Sequence, residues 1–159
     1  MIFVTLGSQK FQFNRLLKEL DKLVEQGVIK EDIFAQTGYS DYIPKNYKFK
    51  NFLDREEFKR NMNDSDIVIT HGGTGAIVGA LKENKRVLAI PRLKEFGEHV
   101  DNHQLEITNT FKEMNYIEVI IECNDLGEAI NKIANFTFSK YNSNTENIID
   151  SIRSFINNI

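Results

Sequence analysis

The chain has a single cysteine, no long apolar run and no surplus of basic residues, and each absence closes a class of function. Cys123 alone cannot form an internal disulfide. It follows a strand-like run, Ile117 to Ile121, where a small apolar residue is ordinary, and it is read as structural. No apolar stretch approaches the roughly 20 residues that a membrane-spanning helix needs, so membrane association is expected only through a partner. The segment Met1 to Gly7 lacks a basic leader and meets a glycine too early for a signal peptide. A cytoplasmic location is expected. Twenty Lys and Arg against 23 Asp and Glu give a net charge of −3, and the basic residues are scattered, which argues against a general nucleic-acid surface.

What is present is an alternation of strand-like and helix-like patterns along all 159 residues, with no internal repeat and no low-complexity linker. That alternation predicts one α/β domain over 1–159 around a mainly parallel sheet. Strands are expected at Ile2 to Leu6, Asp32 to Gln36, Lys48 to Phe52, Asp66 to Thr70, Arg86 to Ile90 and Tyr116 to Ile121. Between them, Phe11 to Val24 carries an apolar stripe, and Asp54 followed by Glu56 and Glu57 reads as a helix cap with an acidic first turn. Gly75 to Glu83, Val100 to Met114 and Asp125 to Asn135 are the next helices. A last helix over about 144–157 places Ile148, Ile149, Ile152, Phe155 and Ile156 on one face, for docking a partner or second copy or for packing on the domain's own sheet. Six strands joined by helical crossovers predict the order 3-2-1-4-5-6, a Rossmann-like arrangement whose ligand crevice lies beyond the carboxyl ends of strands one and four.

Two polar, glycine-bearing loops follow those two strands: Gly7-Ser8-Gln9-Lys10 and His71-Gly72-Gly73-Thr74, with Gly75 opening the next helix. Glycines at a strand-to-helix turn bring bare N–H groups and the positive end of a helix to one place, which suits a phosphate. A merely tight turn is the competing reading. Gly73, Gly75 and Gly79 approach a dinucleotide fingerprint, but the loop comes late in the chain and its spacing is one residue too long. No Lys-Ser/Thr follows the last glycine, so a Walker loop is excluded. His99 and His103 at a helix start have metal-like spacing, without the HExxH order or a third ligand. Lys10, Arg92 and Lys94 are the cations nearest the expected crevice, as neutralisers of a diphosphate or as solvated surface charges.

The run His71-Gly72-Gly73-Thr74-Gly75, a helix, a strand ending at Pro91, then Asp101-Asn102-His103-Gln104, resembles the donor-binding C-terminal domain of GT-B glycosyltransferases of family 28. Met1 to Ser8, Gln36 to Ser40 and Phe96 to His99 are similar to the small subunits of two-part bacterial capsule and exopolysaccharide glycosyltransferases. The resemblance implies half of a split enzyme. This half would bind a UDP-sugar, while a membrane-anchored subunit supplies the general base and the half that binds the lipid-linked acceptor; the eukaryotic counterpart transfers N-acetylglucosamine, and the bacterial pairs are similar to galactosyl- or glucosyltransferases. It implies no cofactor and no metal, with Gly7, Ser8, Gly72, Gly73, Thr74 and Gly75 at the diphosphate and His71 lining the pocket. Asp101, Asn102, His103 and Gln104 would face the sugar, and His99 is the candidate base should the base lie in this chain. Single-chain relatives place Glu or Asp at the position of Gly79 to hold the ribose; its absence leaves Glu83 or another group for that contact, and gives weight to a non-catalytic nucleotide-sugar-binding partner.

Overall fold

The computed structural model describes residues 1–143 and 153, so the expected last helix, apart from helical Arg153, lies outside the described residues. Six strands form one parallel sheet in the order β3-β2-β1-β4-β5-β6, the order expected from the sequence. They are β1 Ile2–Thr5, β2 Ile33–Gln36, β3 Lys48–Lys50, β4 Ile67–Thr70, β5 Arg86–Ala89 and β6 Glu118–Val119. The helices are α1 Asn14–Glu25, α2 Arg55–Asp64, α3 Thr74–Lys82, α4 His103–Glu113 and α5 Leu126–Ile133.

The apolar runs of the central strands are continuous because both faces of the sheet are covered. Ile2, Val4 and Leu6 pack on one face with Leu16, Leu17 and Leu20 of α1 and Leu126, Ile130 and Ile133 of α5. Phe3, Val68 and Val87 point the other way, against Met62 of α2, Ile77, Ala80 and Leu81 of α3, and Ile107 and Phe111 of α4. The capping signal at Asp54 is realised in full: its side chain accepts from the Glu57 N–H, and the Glu57 carboxylate accepts from the Asp54 N–H. Among the described residues no helix is long and apolar enough to cross a membrane.

Several boundaries shift, β3 ending at Lys50 instead of Phe52 and α5 spanning Leu126–Ile133 instead of Asp125 to Asn135, and two of the shifts have a clear cause. The sixth strand shrinks to two residues, because only Leu88 and Ala89 of β5 offer it a partner ladder. The fourth helix starts at His103 instead of Val100, since the preceding polar residues spend their side chains on a turn. Asn102 Oδ1 accepts from the Lys94 N–H, and Asp101 Oδ1 accepts from the His103 N–H.

Candidate functional site

β1 and β4 are neighbours in register, Thr5 beside Thr70, and the Thr70 hydroxyl donates to the Thr5 carbonyl at 3.0 Å. The loops that follow therefore leave the same edge of the sheet side by side. A glycine at position 7 is required twice over: its φ of +71° is unfavourable for side chains, and a Cβ there would lie 2.6 Å from His71 Nε2. Ser8, Gln9 and Lys10 are exposed beyond it.

The second loop is held far more tightly. Gln104, 4% exposed at the start of α4, accepts the Gly72 N–H and the Arg92 N–H on one oxygen, each at 3.0 Å. Its amide nitrogen lies 3.3 Å from His71 Nδ1, which also accepts the Gly73 N–H at 3.0 Å. A Cβ at Gly72 would meet the Gln104 carbonyl oxygen at 2.9 Å, and one at Gly73 would meet the His71 ring at 2.2 Å. The two glycines thus exist for the protein's own packing, and their N–H groups are consumed internally.

What remains for an incoming anion is the next turn. The N–H groups of Thr74 and Gly75 have no hydrogen-bond partner among the described residues, since the helical ladder begins with Ala76 and Ile77 donating to Gly73. Both residues are exposed, and a Cβ added at Gly75 meets nothing within 4 Å. The nine-residue α3 points its positive end at this spot.

His71 is 7% exposed and lines the wall between the loops. Burial, then the charge of Arg92, pulls its imidazole down to about 4, so the ring is neutral; with Nδ1 accepting, its proton sits on Nε2 beside Gly7. Arg92, expected at the surface or on a phosphate, is instead wholly buried. Its Nη2 donates to the Leu6 and Phe11 carbonyls at 2.9 and 3.2 Å, the two ends of the exposed loop. Glu98, 1% exposed, accepts Arg15 Nε at 2.8 Å and the Leu93 N–H at 3.0 Å. Sequence reasoning gave neither burial, because Pro91-Arg92 and Gly97-Glu98 carry the residue types of solvated turns.

Lys10 and Lys94 are exposed at the rim. His99 lies before α4, stacked on Phe11 with centroids 5.0 Å apart and paired with Asp101, whereas His103 pairs with Glu106. The two histidines therefore do not share a helix face. The bonded His103 N–H, then His99, holds the Asp101 carboxyl below its ordinary range. Among the described residues no group of three or more His, Cys, Asp or Glu is placed to hold a metal. Cys123 takes a contact from Arg15 Nη1 at 3.2 Å, and burial pushes its thiol up, consistent with a structural place. Gly79 on α3 and Glu83, its C-cap residue, are exposed one turn apart on the face that Gly75 begins.

Cavity size alone would point elsewhere. Cavities of about 600 and 610 Å³, lined by residues such as Asp66 and Tyr116 or Met1 and Tyr47, sit at the amino ends of the strands. The buried polar groups His71, Arg92, Glu98 and Gln104 all gather at the carboxyl ends, where parallel sheets bind ligands.

The fold and this crevice define a Rossmann-like α/β domain with unpaired N–H donors at its switch point. The chain belongs to the glycosyltransferase family 28 C-terminal domain family, whose model matches residues 1–159. Over 65 residues it is 35% identical to the UDP-N-acetylglucosamine transferase subunit ALG13 of Candida albicans, a match covering 41% of this chain and 21% of that protein. The solution structure of ALG13 superposes with a TM-score of 0.57 at 18% identity, covering 89% of each chain. Acinetobacter baumannii MurG gives a TM-score of 0.58 at 15% identity over 84% of this chain and 40% of that one. The glycotransferase of kitacinnamycin gives 0.59 at 16% identity, over 84% and 34%. The chain therefore spans well under half the length of those two glycosyltransferases.

Proposed function

We propose that this chain is the donor-binding subunit of an inverting glycosyltransferase that moves a hexose from a UDP-sugar to a lipid-linked saccharide in polysaccharide biosynthesis. The observation that carries the proposal is the pair of unpaired N–H groups at Thr74 and Gly75, set on a helix N-terminus opposite the Gly7-Ser8 loop. Two such loops on adjacent strands fit a diphosphate, and membership of the glycosyltransferase family selects a nucleotide-sugar over other anions.

In this reading a single displacement at the anomeric carbon leaves UDP, whose developing charge is met by α3, Thr74 and Ser8 without a metal. Neutral His71, with its proton on Nε2, donates a hydrogen bond at the crevice wall and does not act as a base. Asp101, Asn102 and His103 stand at the sugar end, and Gln104 acts beneath them through Gly72 and Arg92. The acceptor's base comes from a membrane-anchored partner seated over the crevice. Exposed apolar residues around that rim, Tyr39, Phe52, Phe96 and Val100, support such a cover.

Thermal-shift measurements distinguish this from a dinucleotide enzyme: UDP raises the melting temperature and NADH does not. Sugar transfer then requires reconstitution with the partner. A folded pair inactive with every common UDP-sugar would reduce the chain to a non-catalytic nucleotide-sugar-binding protein, the alternative that the bare Gly79 face favours.

A further inference from the structure

A charge imbalance lies under the crevice. Arg92 is 0% exposed, and its guanidinium has no carboxylate within 4.0 Å among the described residues. Its Nε and Nη1 have no hydrogen-bond partner there either. The one buried carboxylate nearby, Glu98, is engaged by Arg15, which also donates to the Pro91 carbonyl at 2.9 Å. Two arginines against one carboxylate leave one positive charge uncompensated. Burial pulls the Arg92 guanidinium down to about 10, which still leaves it protonated at neutral pH. A buried charge without an ionic partner is expensive to keep, so a fold that keeps one under a ligand loop calls for an explanation.

The placement supplies it. Arg92 side-chain bonds end on Leu6 and Phe11, the residues that bracket Gly7 to Lys10, while its backbone N–H shares the Gln104 oxygen with Gly72. The Arg92 side chain thus ties down the first loop, and Gln104 links its backbone to the second. We propose that Arg92 is the positioning residue of the anion site: it fixes the Gly7–Lys10 loop at both ends and lends the crevice floor a net positive charge that a bound diphosphate offsets. Glu98 sets the strength of that charge by cancelling one of the two arginines. This rests on reading the crevice as a diphosphate site.

The test is calorimetric titration of the full chain with UDP and, separately, with inorganic pyrophosphate, for the wild type and three variants. Arg92→Met weakens both ligands by roughly tenfold, and Arg92→Lys, which keeps the charge, stays within roughly threefold of wild type. Glu98→Gln removes the compensating carboxylate and tightens both ligands by roughly threefold, although it destabilises the fold. A residue that merely supported the structure would never yield that gain. Should Arg92→Met fail to fold, Glu98→Gln carries the test. Unchanged binding in a folded Arg92→Met, or binding in Glu98→Gln no tighter than wild type, overturns the proposal. Wild-type protein that binds pyrophosphate but not UDP contradicts the glycosyltransferase reading and leaves Arg92's role standing; wild type that binds neither overturns both.

Discussion

The loops after β1 and β4 reach one crevice by opposite constructions. The first is exposed at Ser8, Gln9 and Lys10 and is tethered from below, at its ends, by a buried cation. The second is buried at His71 and Gly72, and side chains consume the N–H groups of Gly72 and Gly73. The difference teaches that a glycine-rich loop is not uniformly a ligand loop. In His71-Gly72-Gly73-Thr74-Gly75 the first two glycines admit protein atoms, and only the third leaves open space for something else.

Removing the Gln104 clamp is the hardest blow to the rigid half of that pair. Gln104→Leu leaves the buried Gly72 and Arg92 N–H groups without an acceptor, and about 4 kcal/mol of unfolding free energy is lost in urea titration. Gly72→Ala comes next: its Cβ would lie 2.6 Å from Gln104 Cβ and 2.9 Å from a backbone oxygen that cannot swing away. A loss of about 3 kcal/mol is expected. Equal stability of Gly72→Ala and Gly75→Ala would erase the distinction between the glycines.

The pH dependence of stability probes the same wall. The unfolded chain protonates His71 near 6.5, whereas the folded chain resists down to about 4. The contribution of this group is therefore complete above about 6.5 and is lost as the pH falls toward 4, by roughly 3 kcal/mol in all. His71→Asn, which keeps an acceptor for the Gly73 N–H, flattens that part of the stability curve relative to wild type. Parallel curves would mean that His71 takes up its proton in the folded chain as readily as in the unfolded one.

The smallest effects belong to the open side of α3. A Cβ added at Gly75 or Gly79 meets nothing within 4 Å, and Gly79→Glu gains about 0.5–1 kcal/mol from helix propensity. The effects of the two substitutions on ligand go in opposite directions. Gly75→Ala narrows the approach to the free N–H groups and weakens UDP, while Gly79→Glu supplies the ribose-holding carboxylate that the family resemblance implies for this position and strengthens it. If Gly79→Glu leaves UDP affinity unchanged, ribose is held elsewhere, with Glu83 the next residue to substitute.

Much of this architecture was legible in the residues. The order of the strands follows from alternation and crossover rules, and the Asp54 cap from a local pattern whose partners sit three residues apart. The meeting of the two loops follows from the strand order. What escaped was long-range commitment of polar side chains. Gln104 reads as a residue facing a sugar until its oxygen is found holding Gly72, 32 positions away. Arg92 reads as a surface cation until its guanidinium is found on Leu6, 86 positions away. The start of α4 was missed for a local version of the same reason: Asp101 and Asn102 have helical neighbours by period, yet their side chains compete for backbone N–H groups and win.

The central claim is that a nucleoside diphosphate sits on the free donors of α3, opposite Gly7. Amide-resolved NMR titration of the full chain with UDP tests it most directly. The account predicts the largest saturable shifts at the N–H groups of Thr74 and Gly75 and at Gly7 and Ser8, with Gly72 and Gly73, already bonded, shifting less. Shifts centred on Asp66, Arg86 and Tyr116 at the opposite end of the sheet, or no saturable shifts at all, would contradict it.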